Sequence, residues 1–295
     1  MAPTCGSVPV CHPGDVPAPI WEAVSARPAG PLRAVVAEHH AYRQRHVAPA
    51  RHLGLPSPYL TVIVTLDEPL HVARQPDPDQ APATYRALVG GLHTTAAVIA
   101  HDGAQSGVQL QLSPLGARAL LGVPAGELAG RDLDAADLLG RLADDLHEQM
   151  RDAPTWPERF RLLDVGLGRL VDPARRPPAE VCRAWHLLRA SQGTARVADV
   201  ARAVGWSERH LAARFRTEIG LTPKAAARVI RFDRARQMLP HLPGAAVAAT
   251  CGYADQSHLV RDFVDFTGLA PRALLAAEVG NLQAPDTTAG RDWAS

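Results

Sequence analysis

The stretch Cys251-Gly-Tyr-Ala-Asp-Gln-Ser-His-Leu-Val-Arg-Asp-Phe-Val-Asp-Phe-Thr-Gly-Leu-Ala-Pro271 decides the fold, because the chain holds an approximate earlier copy of its pattern. The earlier copy is Val200-Ala-Arg-Ala-Val-Gly-Trp-Ser-Glu-Arg-His-Leu-Ala-Ala-Arg-Phe-Arg-Thr-Glu-Ile-Gly-Leu-Thr-Pro223. Leu211, Phe215, Gly220, Leu221 and Pro223 match Leu259, Phe263, Gly268, Leu269 and Pro271, each pair offset by 48 residues. Ala201 and Gly205 match Ala248 and Gly252 at an offset of 47, so the second copy has one extra residue in its turn. A repeat of fixed period marks one supersecondary unit used twice.

Each repeated position has a physical reason. Small Ala201 and Ala248 let two helices cross closely. Gly205 and Gly252 stand where a chain leaving a helix adopts a left-handed conformation that only glycine takes cheaply. Ser207 and Asp255 are able to cap the helix that follows. Leu211 with Phe215, and Leu259 with Phe263, are i, i+4 pairs that face a core. Gly220 and Gly268 end that helix, and the proline three residues later prevents its continuation. Helix, glycine turn, helix is the helix-turn-helix pattern. Trp206 and Tyr253, just after the turn glycines, fit the junction between helices better than stacking on DNA.

The charge agrees. Residues 1–182 carry 16 Arg against 20 Asp and Glu, whereas residues 183–279 carry 14 Arg and Lys against 8. A basic module behind a mildly acidic one is the electrostatic outline of a nucleic-acid binder with a separate partner domain.

Over residues 183–277 the chain resembles the AraC/XylS family of transcription regulators, on the two stretches quoted. The resemblance implies an all-α DNA-binding domain of two helix-turn-helix units joined by a long helix, here from Pro223 to about Leu239. It implies recognition helices at Ser207–Glu218 and Asp255–Phe266, entering successive major-groove segments about one helical turn apart. Exposed positions on the first are Arg209, Ala212 and Ala213. Arg209 suits bidentate pairing to guanine, while the two alanines depart from the longer polar residues common in the family and reach only thymine methyls. On the second, Gln256, Ser257, Val260 and Arg261 occupy the matching face, Gln256 suiting adenine and Arg261 guanine or phosphate. His258 is open to a phosphate contact or a hydrogen bond to the turn, and His210 is its counterpart. Arg214, Arg216 and Arg272 are read as phosphate contacts or solvated charges; Ser207 and Asp255 complete the set at the helix starts.

Outward from this module, Tyr59–Leu66, Thr94–Ala100 and Val108–Leu112 are β-branched or alternating runs and read as strands. Several short strands suggest a small barrel or sandwich. The front is similar to the cupin-like sensor domains found ahead of this module in actinobacterial relatives, at the Gly90-Gly91 and Leu120-Leu-Gly-Val-Pro124 segments. The expected fold class is therefore α+β: a cupin-like β-barrel with a helical extension, then the all-α domain. Helical spacing begins at Leu115, Ala119 and Leu120, continues at Leu138, Leu142 and Leu146, and again over Pro157–Leu170. The expected boundaries are a flexible leader at 1–30, which carries six prolines, a sensory or dimerisation domain at 31–170, a linker at 171–179, the double helix-turn-helix at 180–279 and a flexible tail at 280–295.

Other classes find less support. His39, His40, His46, His52, His71, His93 and His101 offer metal ligands, but not at the spacing of an active cupin site, and His39 and His40 adjacent on a strand point to opposite faces. Cys5, Cys11, Cys182 and Cys251 form no C-x-x-C pair. No glycine-rich phosphate loop, no G-x-S-x-G elbow and no nucleophilic triad is legible. No catalytic residue, metal or cofactor is assigned. The rival readings are a cupin-type metal-dependent enzyme and a protein-interaction adaptor with a helical C-terminal domain. No apolar run is long enough for a membrane span and no secretory leader is seen. The expected setting is the cytoplasm, with promoter DNA and RNA polymerase as partners, and a small-molecule effector and a homodimer compatible with the front domain.

Overall fold

In chain order the strands are β1 (Ile20–Ala26), β2 (Val36–Arg45), β3 (Ala50–Gly54), β4 (Leu60–Thr65), β5 (Leu70–Arg74), β6 (Ala83–Tyr85), β7 (Ala87–Gly90), β8 (Ala97–His101), β9 (Gln105–Leu112) and β10 (Asp132–Asp134). The helices are α1 (Ala117–Leu121), α2 (Ala136–Leu139), α3 (Arg141–Asp152), α4 (Trp156–Gly168), α5 (Ala179–Ala190), α6 (Val197–Ala203), α7 (Glu208–Ile219), α8 (Pro223–Met238), α9 (Gly244–Thr250), α10 (Gln256–Thr267) and α11 (Pro271–Glu278). This computed structural model describes residues 18–278. The first part of the expected leader, 1–17, and the expected tail lie outside the described residues.

The front strands do not close into one barrel. They form two antiparallel sheets, one in the order β1-β2-β9-β4-β7-β10 and one in the order β3-β8-β5-β6. The sheets face each other, with Ile63 and Leu88 of the larger packed against Leu70, Val72 and Ile99 of the smaller. The register shifts between Val36 and His39 in β2 and between Val72 and Arg74 in β5. Such irregularities bend a strand and increase its local twist.

Two local expectations change. Ile20–Ala26, placed in the leader, is an edge strand paired along its length with β2. Trp156 donates from Nε1 to Glu22 at 2.9 Å and Ser25 Oγ bonds His40 Nδ1 at 3.1 Å, which tie this strand to its surroundings. The Leu138, Leu142, Leu146 stripe is broken at Gly140 (φ +58), so α2 and α3 are separate helices. His39 is fully buried, bonded to Asp164 at 2.9 Å and stacked on Phe160, rather than free for a metal.

The back of the chain follows the repeat closely. Helix α8 is its axis, burying Ala226, Val229, Ile230, Phe232 and Ala235. Phe232 meets Phe263 and Phe266 of α10 edge-on, at 4.7 and 5.1 Å, and Trp185 of α5 packs on Phe215 of α7. Residues 169–178 join the two parts without regular structure.

The front and back parts also touch at the far ends of both recognition helices. Arg118 of α1 grips Glu218 of α7 with two hydrogen bonds, 2.7 and 3.0 Å, and Glu218 is 3% exposed. A side chain at Gly126 would sit 2.1 Å from the Thr217 carbonyl oxygen, so only glycine lets this turn approach the end of α7. At the other unit the Ala96 N–H donates to the Phe266 carbonyl at 2.8 Å.

Candidate nucleic-acid interface and the cavity behind it

Both recognition helices begin on a side-chain cap. Ser207 Oγ accepts from the His210 N–H at 3.3 Å and an Asp255 carboxylate oxygen accepts from the His258 N–H at 2.7 Å. Gly205 (φ +75) and Gly252 (φ +73) make the two turns, and Gly220 and Gly268 end the helices left-handed. The aromatic residue after each turn packs inward. Trp206 meets the His210 ring edge-on at 4.6 Å and Tyr253 meets His258 at 5.2 Å. The Ala254 N–H donates to His258 Nδ1 at 3.4 Å, the turn contact that was one of its two readings.

What remains outside is a pair of equivalent stripes. On α7 they are Arg209, Ala213 and Arg216, with Ala212 half-buried beside them; on α10 they are Ser257, Arg261 and Val264, with Val260 half-buried. Gln256 is exposed and lies over Gly244 at the start of α9, while Arg214 and Arg272 are exposed at the flanks. None of Arg209, Arg214, Arg216, Arg261 and Arg272 meets a carboxylate among the described residues. Arg228, by contrast, is spent inside the domain on Asp262 and Asp265, both at 2.7 Å. Exposed arginines without a carboxylate partner are groups that suit phosphates and guanine edges.

A family model described as a helix-turn-helix domain matches residues 200–277. The chain carries an AraC-type helix-turn-helix domain. It is the DNA-binding part of a transcription regulator. ToxT from Vibrio cholerae strain SCE256, with an unsaturated fatty acid bound, is similar over 83% of this chain and 96% of its own, at 11% identity and a TM-score of 0.50. That likeness shows a shared fold, with a strand-rich front and the AraC-type domain behind. The C-terminal domain of AraT, a response regulator from Geobacillus stearothermophilus, is 24% identical over 34% of this chain and 85% of its own, with a TM-score of 0.32. An AraC-type regulator from Chromobacterium violaceum is 25% identical over 33% of this chain and 89% of its own, with a TM-score of 0.31. No curated protein matches the chain in sequence.

Behind the AraC-type domain lies a cavity of about 450 Å³ that sequence reasoning missed. Its depth is apolar, formed by Ile63, Leu88, Leu70, Val72 and Ile99 from the two facing sheets. Helices α5 and α8 add Arg189, Ile230, Asp233, Arg234 and Arg236 to its wall, and loop residues such as Pro56 and His93 complete it. Arg189 donates to the Tyr59 hydroxyl at 2.9 Å and lies over that ring, and Arg234 donates to the Thr250 carbonyl at 2.9 Å. Val264, exposed at 44%, and Glu218, buried against Arg118, were also missed. Glu218 stands three residues after Phe215 on the apolar stripe, a position whose charge itself signals a buried partner.

Among the described residues no group of three or more His, Cys, Asp or Glu is placed to hold a metal, and no helix is long and apolar enough to cross a membrane. Cys182 and Cys251 are free thiols, both pushed up in pKa by burial first of all.

Proposed function

We propose that the chain binds promoter DNA by laying α7 and α10 in successive major-groove segments, and that a small molecule in the cavity sets how well it does so. Arg209, Gln256 and Arg261 read guanine, adenine and guanine edges, and Ala213 and Val260 meet thymine methyls. Ser207, Asp255, Ser257, His210 and His258 fix the helix starts on the duplex. Arg214, Arg216 and Arg272 hold phosphates, which gives affinity and salt dependence without sequence choice. Acting in the cytoplasm as a homodimer, the protein recruits RNA polymerase and activates transcription, with no catalytic step of its own.

The observation that carries this reading is the pair of capped helices presenting unpaired arginines on equivalent stripes. Effector control is supported by the cavity wall. Since α5 and α8 line a space whose floor belongs to the front sheets, an occupant touches both parts and biases their arrangement by its differential contacts. A cavity of this size falls within the range of small-molecule sites, about 300–1,000 Å³. The bound fatty acid of ToxT, a protein of the same fold, supports an apolar body for that occupant.

The test is a fluorescence-anisotropy titration of the full chain against the duplex best selected from a random pool, and against its scramble, at two salt concentrations. A preference on the order of a thousandfold, with a steep salt slope, is expected. Equal, weak binding to both duplexes would overturn sequence-specific regulation.

A further inference from the structure

The stripe that α10 shows to solvent departs from its counterpart on α7 at one telling place. At the repeat offset of 48, Arg209, Ala213 and Arg216 correspond to Ser257, Arg261 and Val264, and all six are exposed. Positions 257, 261 and 264 fall at i, i+4 and i+7 and so share one helix face. Val264 therefore stands where the first unit has an arginine. It is 44% exposed, one of two large apolar side chains that the AraC-type domain leaves open among the described residues. Val260, half-buried, lies one turn before it, and the pair makes a continuous apolar strip along the stripe.

The charges around Val264 narrow what it meets. On α7 the same turn carries Arg214 and Arg216, and neither pairs with a carboxylate among the described residues. At the matching places α10 has Asp262 and Val264, and Asp265 stands where α7 has Thr217. Asp262 and Asp265 are both held by Arg228 at 2.7 Å, and the Asp265 side chain is 61% exposed. A phosphate set against this turn would face an exposed carboxylate whose cation is already engaged, with no unpaired arginine in that turn to receive it. The α7 turn suits the DNA backbone and the α10 turn does not. What is left for Val264 is a base edge, and the apolar group that the major groove offers is the methyl at C5 of a pyrimidine.

We propose that Val264, flanked by Val260, is a specificity-determining residue that reads the C5-methyl group of one pyrimidine in the major groove. This rests on reading α10 as a helix that enters the groove. Thymine carries that methyl and so does 5-methylcytosine, so the contact recognises the methyl itself and not a hydrogen-bonding pattern. The helix fixes where the methyl lies. Val264 is three residues beyond Arg261, about 4.5 Å along the axis. Base pairs step by about 3.4 Å. The methyl therefore lies within two base pairs of the pair that Arg261 reads.

Anisotropy titrations of the full chain against the selected duplex, with each thymine of the α10 half-site replaced in turn by deoxyuridine, test this. Uracil keeps the hydrogen-bonding edge of thymine and lacks its methyl. Wild type should lose about fourfold in affinity at one thymine within two base pairs of the position that Arg261→Ala relaxes, the size expected for uncovering one methyl. Val264→Ala should bind the unsubstituted duplex about as weakly as wild type binds that uracil duplex, and should be indifferent to the replacement. Because Val264 is exposed, this change leaves the core of the unit intact. The same scan with each cytosine of the half-site replaced by 5-methylcytosine separates the two carriers. A loss on uracil assigns the methyl to thymine, and a gain on cytosine methylation that Val264→Ala lacks assigns it to 5-methylcytosine. If neither substitution matters within two base pairs of the Arg261 position, or if Val264→Ala responds as wild type does, the proposal is overturned. A retained preference for the selected over the scrambled duplex without a methyl response sinks this inference alone, whereas loss of any preference in wild type sinks the DNA reading beneath it as well.

Discussion

The two helix-turn-helix units share a backbone plan but differ in what they show to DNA and in what holds them. The first presents Arg209, Ala212 and Ala213 where the second presents Ser257, Val260 and Arg261, with Gln256 standing opposite Glu208. The first is gripped from outside its domain, by Arg118 on Glu218 and by the turn at Gly126. The second is gripped from inside, by Arg228 on Asp262 and Asp265, with a single backbone bond from Ala96 reaching its end. On the proposed DNA reading, the unit poorer in base-reading groups is the one the front domain holds, which assigns more of the sequence choice to α10 and the response to the front of the molecule to α7.

The largest effects should come from breaking the two grips. Arg228→Ala leaves Asp262, 4% exposed at its side chain, without its cation, and it also removes the cation stacked on Phe266. Removing one member of a buried pair costs about 3–5 kcal/mol, and the one-third exposure of the Arg228 side chain places this near the lower end. Arg118→Ala strands Glu218 in the same way, so chemical denaturation should show losses of similar size. Their consequences for DNA should differ. Arg118→Ala frees α7 relative to the front domain while α10 keeps its internal anchor, so only Arg118→Ala should change the response of DNA binding to a cavity ligand. Loss of that response in Arg228→Ala but not in Arg118→Ala would reverse the assignment of control to the first unit.

The next effect, on recognition, sharpens the division further. Arg261→Ala should weaken binding to the selected duplex by about 1–3 kcal/mol and relax choice at one base pair, with little change on scrambled DNA. Arg209→Ala should do the same at a single position of the other half-site, but Ala212→Ser and Ala213→Ser beside it should change little. Gln256→Ala should cost less than Arg261→Ala, because Gln256 must first leave its place over Gly244. Selection experiments should return a half-site under α10 with more fixed positions than the half-site under α7. Equal information in the two would show that the alanines cost the first helix nothing.

How much of this was legible beforehand follows from locality. The repeat carries its own geometry within about 24 residues: caps, turn glycines and i, i+4 pairs are all near neighbours, and the ends of α7, α8 and α10 fall within a residue or two of where the family resemblance places them. The front was harder. Ile20–Ala26 has no clean alternation and follows a proline-rich stretch, and its strand exists because β2 offers an edge to pair with. The Leu138, Leu142, Leu146 spacing takes no account of Gly140, whose positive φ breaks the stripe into two helices. The cavity was not legible at all, because Thr61, Gly90, Gln111, Asp132, Arg189 and Arg234 come from four strands and two helices with no shared spacing. Glu218 and Asp262 are the intermediate case. Each is an acid on a stripe of apolar residues, and that mismatch alone announces an ion pair, although it does not say with which arginine.

The smallest expected effect distinguishes the two caps. Ser207 and Asp255 occupy equivalent positions and make the same bond, yet one is neutral and the other charged. Replacing either with alanine should cost about 1 kcal/mol of stability, since a lost N-cap bond leaves a helix-start N–H unsatisfied. Asp255 gains a little more, because a carboxylate at a helix N-terminus also meets the positive end of the dipole. On DNA the two should part. Asp255 is an exposed anion at the end of the helix that approaches the phosphates, so its removal should raise affinity for scrambled DNA and steepen the salt dependence slightly. Ser207→Ala removes no charge and should lower affinity for both duplexes together. An Asp255→Asn variant isolates the charge, because asparagine caps a helix about as well as aspartate. If Asp255→Asn leaves scrambled-DNA binding and the salt slope unchanged, the carboxylate lies too far from the backbone to matter, and α10 enters the groove at a different angle from the one its capped end implies.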